Sequence, residues 1–245
     1  MYFSFSNPWM IGLLVILVIQ NLQRYMYGSG SILELLISIP GLLIAITFHE
    51  FAHAWVADKL GDDTPRNQGR LSLNPLAHLD PFGAILMLFA GFGWGKPVTI
   101  NPSNFNRKVS IKKGNALVSL AGPAMNFILA LLFSVIFGLI YKFADGFILS
   151  SVGKVVMIAL QYTIFMNVGL GVFNLIPLPP LDGAKILLGV LPDNAVRWYK
   201  LHESFLYIVF LVIWITPIAS YMIAPIISFI DAKLLQLIIM IAVGL

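Results

Sequence analysis

Apolar residues in this chain come in long unbroken runs, with few polar positions spaced inside them. A helix that is apolar all round is surrounded by other apolar matter, either a large protein core or lipid. A stretch of about 20 residues is needed to cross a hydrocarbon layer of about 30 Å. The first run, residues 8–20, reaches that length only if extended to residue 27. A second run covers residues 32–60, a third 116–141, a fourth 152–175 and a fifth 205–223. The tail, 227–245, is apolar around one Asp and one Lys, and forms a last span or an interfacial helix. The expected fold is therefore an all-α polytopic membrane protein of about six transmembrane helices. No internal repeat or low-complexity linker divides it, so residues 1–245 read as a single integral membrane domain with a core over about 32–200.

Two intervals break the pattern. Residues 61–83, GDDTPRNQGRLSLNPLAHLDPFG, are polar and rich in turn formers. Residues 84–94 are apolar but too short to cross as one helix. After them, KPVTINPSNFNRKVSIKKG places β-branched residues between Pro and Asn, which predicts short strands and turns. A small β-strand or re-entrant element is expected here, with strand-like segments over 70–80 and 95–105. Trp94, Phe89 and Phe92 would either line the mouth of a site or form an interfacial aromatic belt.

Composition agrees with the membrane reading. Of 245 residues, 59% are hydrophobic and 11% charged, against about 25% charged in soluble domains. The N-terminus MYFSFSNPW has no basic n-region, so no secretory signal peptide is expected. The chain contains no cysteine, which excludes disulfides and thiolate ligands. A transition metal would need His, Asp or Glu. The placement of the cations orients the chain. Lys96, Arg107, Lys108, Lys112 and Lys113 lie in one interval without an acid, and Lys185, Arg197 and Lys200 lie in another with Asp193. Both intervals are expected on the cytoplasmic side, provided that residues 84–94 dip into the membrane and return.

The chemistry concentrates in ITFHEFAHAW, residues 46–55. Ionisable groups within a membrane segment are costly and mark working sites. His49 and His53 are four apart, so a helix stacks them on one face where they can share a metal ion. Glu50 lies beside them, able to reach a water at that ion. This is the HExxH arrangement of zinc peptidases, with two ligands and a general base. A catalytic zinc needs a third protein ligand. His78, His202 and Glu203 are candidates, and Glu34, about four turns before His49, is expected to be too far along the same helix. Asp182 follows the helix-breaking prolines Pro177, Pro179 and Pro180. Irregular backbone at membrane depth must be buried in protein or face a wet cavity. Asp182 is therefore either a ligand or the N-cap of a helix starting at Ala184.

HEFAH within a membrane segment, followed far downstream by NLIPLPPLDG, resembles the site-2 protease family of intramembrane zinc metalloproteases. GRLSLNPLAHLDPFG, FGWGKPVTINPSNF and ALVSLAGPAMN are similar to its compact bacterial and archaeal branch, and the likeness covers about residues 32–200. The resemblance implies that Asp182, the aspartate of LDG, is the third ligand to Zn²⁺. It implies that Asn126, in the family's GPxxN motif with Gly122 and Pro123, binds the substrate backbone or the oxyanion. It assigns Asn174, in NxxPxPxLDG, to the same site. For both asparagines an interhelical hydrogen bond is the structural alternative. Some members of the family carry PDZ or CBS domains, for which this chain has no room.

The expected function is hydrolysis of peptide bonds within or near transmembrane segments, in regulated intramembrane proteolysis or in clearing signal-peptide remnants. The expected protein is a multi-pass component of the cell membrane with its site towards the cytoplasm. Its partners are a transmembrane or signal-peptide substrate and the bilayer, with no nucleic acid. The alternatives are a metal-binding transporter and an inactive scaffold. A transporter has no use for Glu50 between its ligands, and the interrupted paired halves common in transporters are absent from the sequence.

Overall fold

The structure is a computed structural model that describes residues 32–81, 83–85, 95–216 and 218–244. Its long helices are α1 (Ile32–Lys59), α3 (Ile111–Phe143), α5 (Ser151–Asn174) and α9 (Ile218–Val243), with the four-residue α2 (Thr64–Asn67) after α1. Shorter helices are α4 (Asp145–Leu149), α6 (Asp182–Val190), α7 (Asp193–Leu201) and α8 (Glu203–Ile215). Ser110 and Ser150 begin α3 and α5 by accepting hydrogen bonds from the Lys113 and Gly153 backbone N–H groups. Such caps satisfy amide donors that have no partner within the helix.

Helices α1, α3 and α5 pack directly on one another. Their contacts are made by small residues: Ala45, Ala52, Ala54 and Ala57 of α1 are all buried, as are Ser119, Gly122 and Ala130 of α3. In lipid there is no hydrophobic drive between helices, so close backbone approach through small side chains supplies the attraction. Helix α9 closes the other flank. Its Ile223, Ile227, Ile230, Leu234 and Ile238 lie against Ala130, Ile164, Val168 and Val172.

Four helices among the described residues are long and apolar enough to cross a membrane: α1, α3, α5 and α9. The sequence reading expected about six. The run 8–27 lies outside the described residues, as does most of 84–94 with Phe89, Phe92 and Trp94. The other difference has a local cause. The expected span 205–223 ends at Ile215, and α8 is only 13 residues long. Thr216 precedes Pro217, and its backbone is extended, φ −109° and ψ 162°. A residue before proline is driven out of helical geometry by the ring. The remainder of that run joins the apolar tail to form α9.

The expected strands are also replaced. Among the described residues there is no strand, only an isolated antiparallel bridge between Leu79 and Gly95. The two segments do meet, with Lys96 N–H donating to the His78 carbonyl at 2.8 Å. Pro97 then follows without an N–H to continue a ladder. On either side, Pro75–Ala77 and Pro102–Asn104 form 3₁₀ turns, capped by the side chains of Asn74 and Asn101. The Leu60 carbonyl accepts from Asn106 N–H at 2.7 Å, so Asn106 lies against the end of α1.

Candidate metal centre

His49 and His53 lie on the buried face of α1, 5% and 7% exposed. Asp182 opens α6 directly after the proline-rich turn and is 8% exposed. The helix begins at Asp182 itself, with Leu181 at the N-cap, so Asp182 is not the cap of a helix starting at Ala184. Its carboxylate turns instead to the two imidazoles: Oδ2 is 3.2 Å from His49 Nε2 and 3.0 Å from His53 Nε2, and the two Nε2 atoms are 3.0 Å apart. Among the described residues these three form the group whose donor atoms converge.

The far side of each ring decides which nitrogen carries a proton. His53 Nδ1–H donates to the Val118 carbonyl at 2.7 Å. His49 Nδ1–H donates to Asn126 Oδ1 at 2.6 Å. The orientation of the Asn126 amide is itself set, because Nδ2 donates to the Ala45 carbonyl at 3.1 Å and to Asn167 Oδ1 at 3.0 Å. Asn167 Nδ2 donates in turn to the Thr163 carbonyl. With Nδ1 protonated on both rings, two Nε2 lone pairs and a carboxylate oxygen point at one spot. Three acceptors at about 3 Å repel one another unless a cation lies between them. Tetrahedral zinc with bonds of about 2.0–2.1 Å spaces its ligands about 3.3 Å apart, close to the separations here. The donor set therefore fits zinc.

Gly122 makes this packing possible. A Cβ there would come within 2.5 Å of His53 Nε2 and 2.6 Å of His49 Cε1. The two imidazoles rest on the bare backbone of α3.

Glu50 contacts the segment after residue 94. Its Oε2 accepts from Val98 N–H at 3.2 Å. A Cβ on Gly95 would sit 3.3 Å from Oε1 and 2.9 Å from Ile46 Cγ2, so only glycine lets the chain pass this closely. Arg70 is 4% exposed and ties this segment down, donating to the Ala77 carbonyl at 2.6 Å and to the Lys96 carbonyl. Asp62, wholly buried, holds the next residues by accepting from Asn101 N–H at 2.7 Å and Asn104 Nδ2 at 3.0 Å.

The other candidate ligands do not join the cluster. His78 is buried in the loop after α1 and donates from Nε2 to the Ser72 carbonyl. His202 stacks on Trp198 at the surface, Glu203 starts α8, and Glu34 is exposed near the start of α1. Asn174 donates to the Leu170 carbonyl within its own helix. Asn126 has no N–H left for an oxyanion, since both are committed to carbonyl oxygens. Sequence reading passed over Asn167, Arg70 and Gly95. An amide in the middle of the apolar run 152–175 was a signal for Asn167; Arg70 and Gly95 lie within the family-like motifs GRLSLNPLAHLDPFG and FGWGKPVTINPSNF, which marked the segments but not these residues' contacts.

An all-helical, multi-pass membrane protein with an internal His-His-Asp cluster beside a glutamate belongs to the class of membrane metallohydrolases. Comparison with known proteins narrows this. The sequence model of Peptidase family M50 matches residues 140–216. The chain is 41% identical over 208 residues to YwhC of Bacillus subtilis, a candidate zinc metalloprotease by name, covering 84% of this chain and 92% of that one. Rip2 of Mycolicibacterium smegmatis, named likewise, is 31% identical over 73% of this chain and 66% of its own length. MJ0611 of Methanocaldococcus jannaschii, also so named, is 30% identical over 76% of this chain and 86% of its own. No solved structure matches. The chain belongs to peptidase family M50, the site-2 protease family, and is a membrane zinc metalloprotease.

Proposed function

We propose that His49, His53 and Asp182 hold the zinc ion, that Glu50 is the general base, and that the reaction is hydrolysis of peptide bonds within or beside transmembrane segments. The single observation that carries this reading is the approach of Asp182 Oδ2 to within 3.2 Å of both Nε2 atoms, although it lies 133 residues from His49 in the chain. Zinc, when bound, supplies a Lewis acid for the scissile carbonyl and lowers the pKa of water at the site. Glu50 takes the proton of the attacking water and returns it to the leaving amine. One of its oxygens is held by Val98 N–H, which leaves Oε1, beside Gly95, for that exchange. Val118 and Asn126 hold the two rings in the tautomer that presents Nε2. Asn126 is thus a positioning residue; an oxyanion donor would have to come from elsewhere, and for Asn174 the helix-internal bond is the role that its contacts favour.

The substrates in this reading are single-span membrane proteins or signal-peptide remnants, and the site faces the cytoplasm. In support, the end of α1 and the start of α3 lie together. Lys112 bonds the Leu191 carbonyl and Asp193 ahead of α7, so both basic intervals gather at one end of the bundle. Positive charge at that end favours the cytoplasmic side. Glu50→Gln tests the mechanism: it should retain zinc and lose cleavage of a helical single-span substrate by at least about a hundredfold. Cleavage at the wild-type rate would rule out Glu50 as the base.

A further inference from the structure

A groove of about 590 Å³ runs between the 98–102 segment, the start of α3, α6 and α7. Its floor is apolar, from Val98, Ile100, Ile111 and Leu188, and three lysines rim it: Lys112, Lys185 and Lys200. No Asp or Glu lines it among the described residues. The lysines are not equivalent. Lys112 is engaged with the Leu191 carbonyl and Asp193. Lys185 Nζ lies 3.9 Å from Asp182 Oδ1, the oxygen that does not face the imidazoles. Lys200 is exposed, and no ion pair forms to it among the described residues.

The groove adjoins the metal centre through residues on three of its walls. Val98 lines it and donates its N–H to Glu50. Ser119 lines it next to Val118, whose carbonyl holds His53. Lys185 lies one turn along α6 from Asp182. The outer wall is anchored to the same loop, because the buried Tyr199 donates its hydroxyl to the Pro177 carbonyl at 3.0 Å and so fixes Lys200 relative to the turn before Asp182.

We infer that this groove seats the flank of the cleaved chain next to the scissile bond, and that Lys185 and Lys200 select substrates carrying an acidic side chain there. This rests on the protease reading of the metal centre. A carboxylate entering the groove would meet two cations beside a partly buried apolar surface, where the attraction exceeds that in bulk solvent. Anionic lipid headgroups share the chemistry, but two lining residues, Val98 and Lys185, touch Glu50 and Asp182 directly, which favours the chain held at those residues.

The test uses the full chain in zwitterionic phosphatidylcholine vesicles. Three single-span substrates are compared that differ only in flank residues: Asp, Asn or Lys. The Asp flank should be cut about tenfold faster than the Lys flank at low salt, and the ratio should shrink as salt rises. Lys200→Glu should reverse the order and Lys200→Gln should remove most of it; Lys185→Gln should weaken it independently. The ratio within each variant is read, so partial loss of folded enzyme does not matter. Equal cleavage of the three substrates by wild type overturns the inference, as does a preference that survives Lys200→Glu. A preference that appears only when phosphatidylglycerol is added assigns the lysines to lipid and overturns it too. If no substrate is cut, or Glu50→Gln cuts as fast as wild type, the protease reading itself has failed.

Discussion

His49 presents Nε2 to the centre of the cluster only while its Nδ1–H is occupied, and Asn126 occupies it at 2.6 Å. Asn126 keeps that orientation because its own two N–H bonds go to Ala45 and Asn167. Removing the amide leaves the imidazole free to change tautomer or rotate. Partners of this kind are worth roughly 10–100-fold in metal affinity. Asn126→Ala should therefore weaken zinc binding by that range in a competition titration with a chromophoric chelator. Zinc affinity equal to wild type would show that ring orientation is set elsewhere. Asn167→Ala should give the same effect in weaker form, since Asn126 retains the Ala45 carbonyl.

At the scale of elements, the loop between α1 and α3 depends on Asp62. Burial alone would raise its pKa, but the Thr64 hydroxyl, the N–H groups of Asn101 and Thr64, and the Asn104 amide hold the carboxyl below its ordinary value. A carboxyl lowered on folding stabilises the fold above its unfolded pKa of about 3.9, and that stability fades as pH falls through the lower folded value. The segment carrying Val98 and Gly95 should loosen first on acidification below about pH 4, seen as faster hydrogen exchange at residues 98–104. Asp62→Asn should remove this acid transition and lower stability by roughly 2 kcal/mol at neutral pH, because an amide cannot accept all of these donors. An unchanged acid transition in that variant would assign it to another group.

The whole molecule is held at its centre by α1, α3 and α5; the His49, His53 and Asp182 side chains join α1 to α6, and Val118 and Asn126 tie α3 to the two imidazoles. Zinc that binds the folded cluster and not the unfolded chain stabilises by mass action, about 4 kcal/mol when free zinc is about a thousand times its Kd. Chelation should lower the Tm of the detergent-solubilised protein, and added zinc should restore it. His53→Ala should abolish that response to zinc. A Tm insensitive to chelation would mean that the three side chains do not share an ion. The four apolar helices give the protein its multi-pass character, and the length of each was largely readable from hydropathy. The exception, at Thr216, followed from one proline rather than from the apolar run around it.

What the sequence determined by itself was local. Unbroken apolar runs required a membrane, the four-residue spacing put His49 and His53 on one helical face, and the prolines before Asp182 required irregular backbone there. These follow from periodicity and steric rules that act within a few residues. Tertiary structure alone decided which partners meet across 133 residues at Asp182 and 77 at Asn126. It decided that segments 70–80 and 95–105 meet at one bridge instead of a sheet, and that Asn126 has no free donor. Those outcomes depend on how closely small residues let the helices approach. The same apolar pattern is compatible with many packings, and the bare face at Gly122 selects among them by what a side chain there would strike.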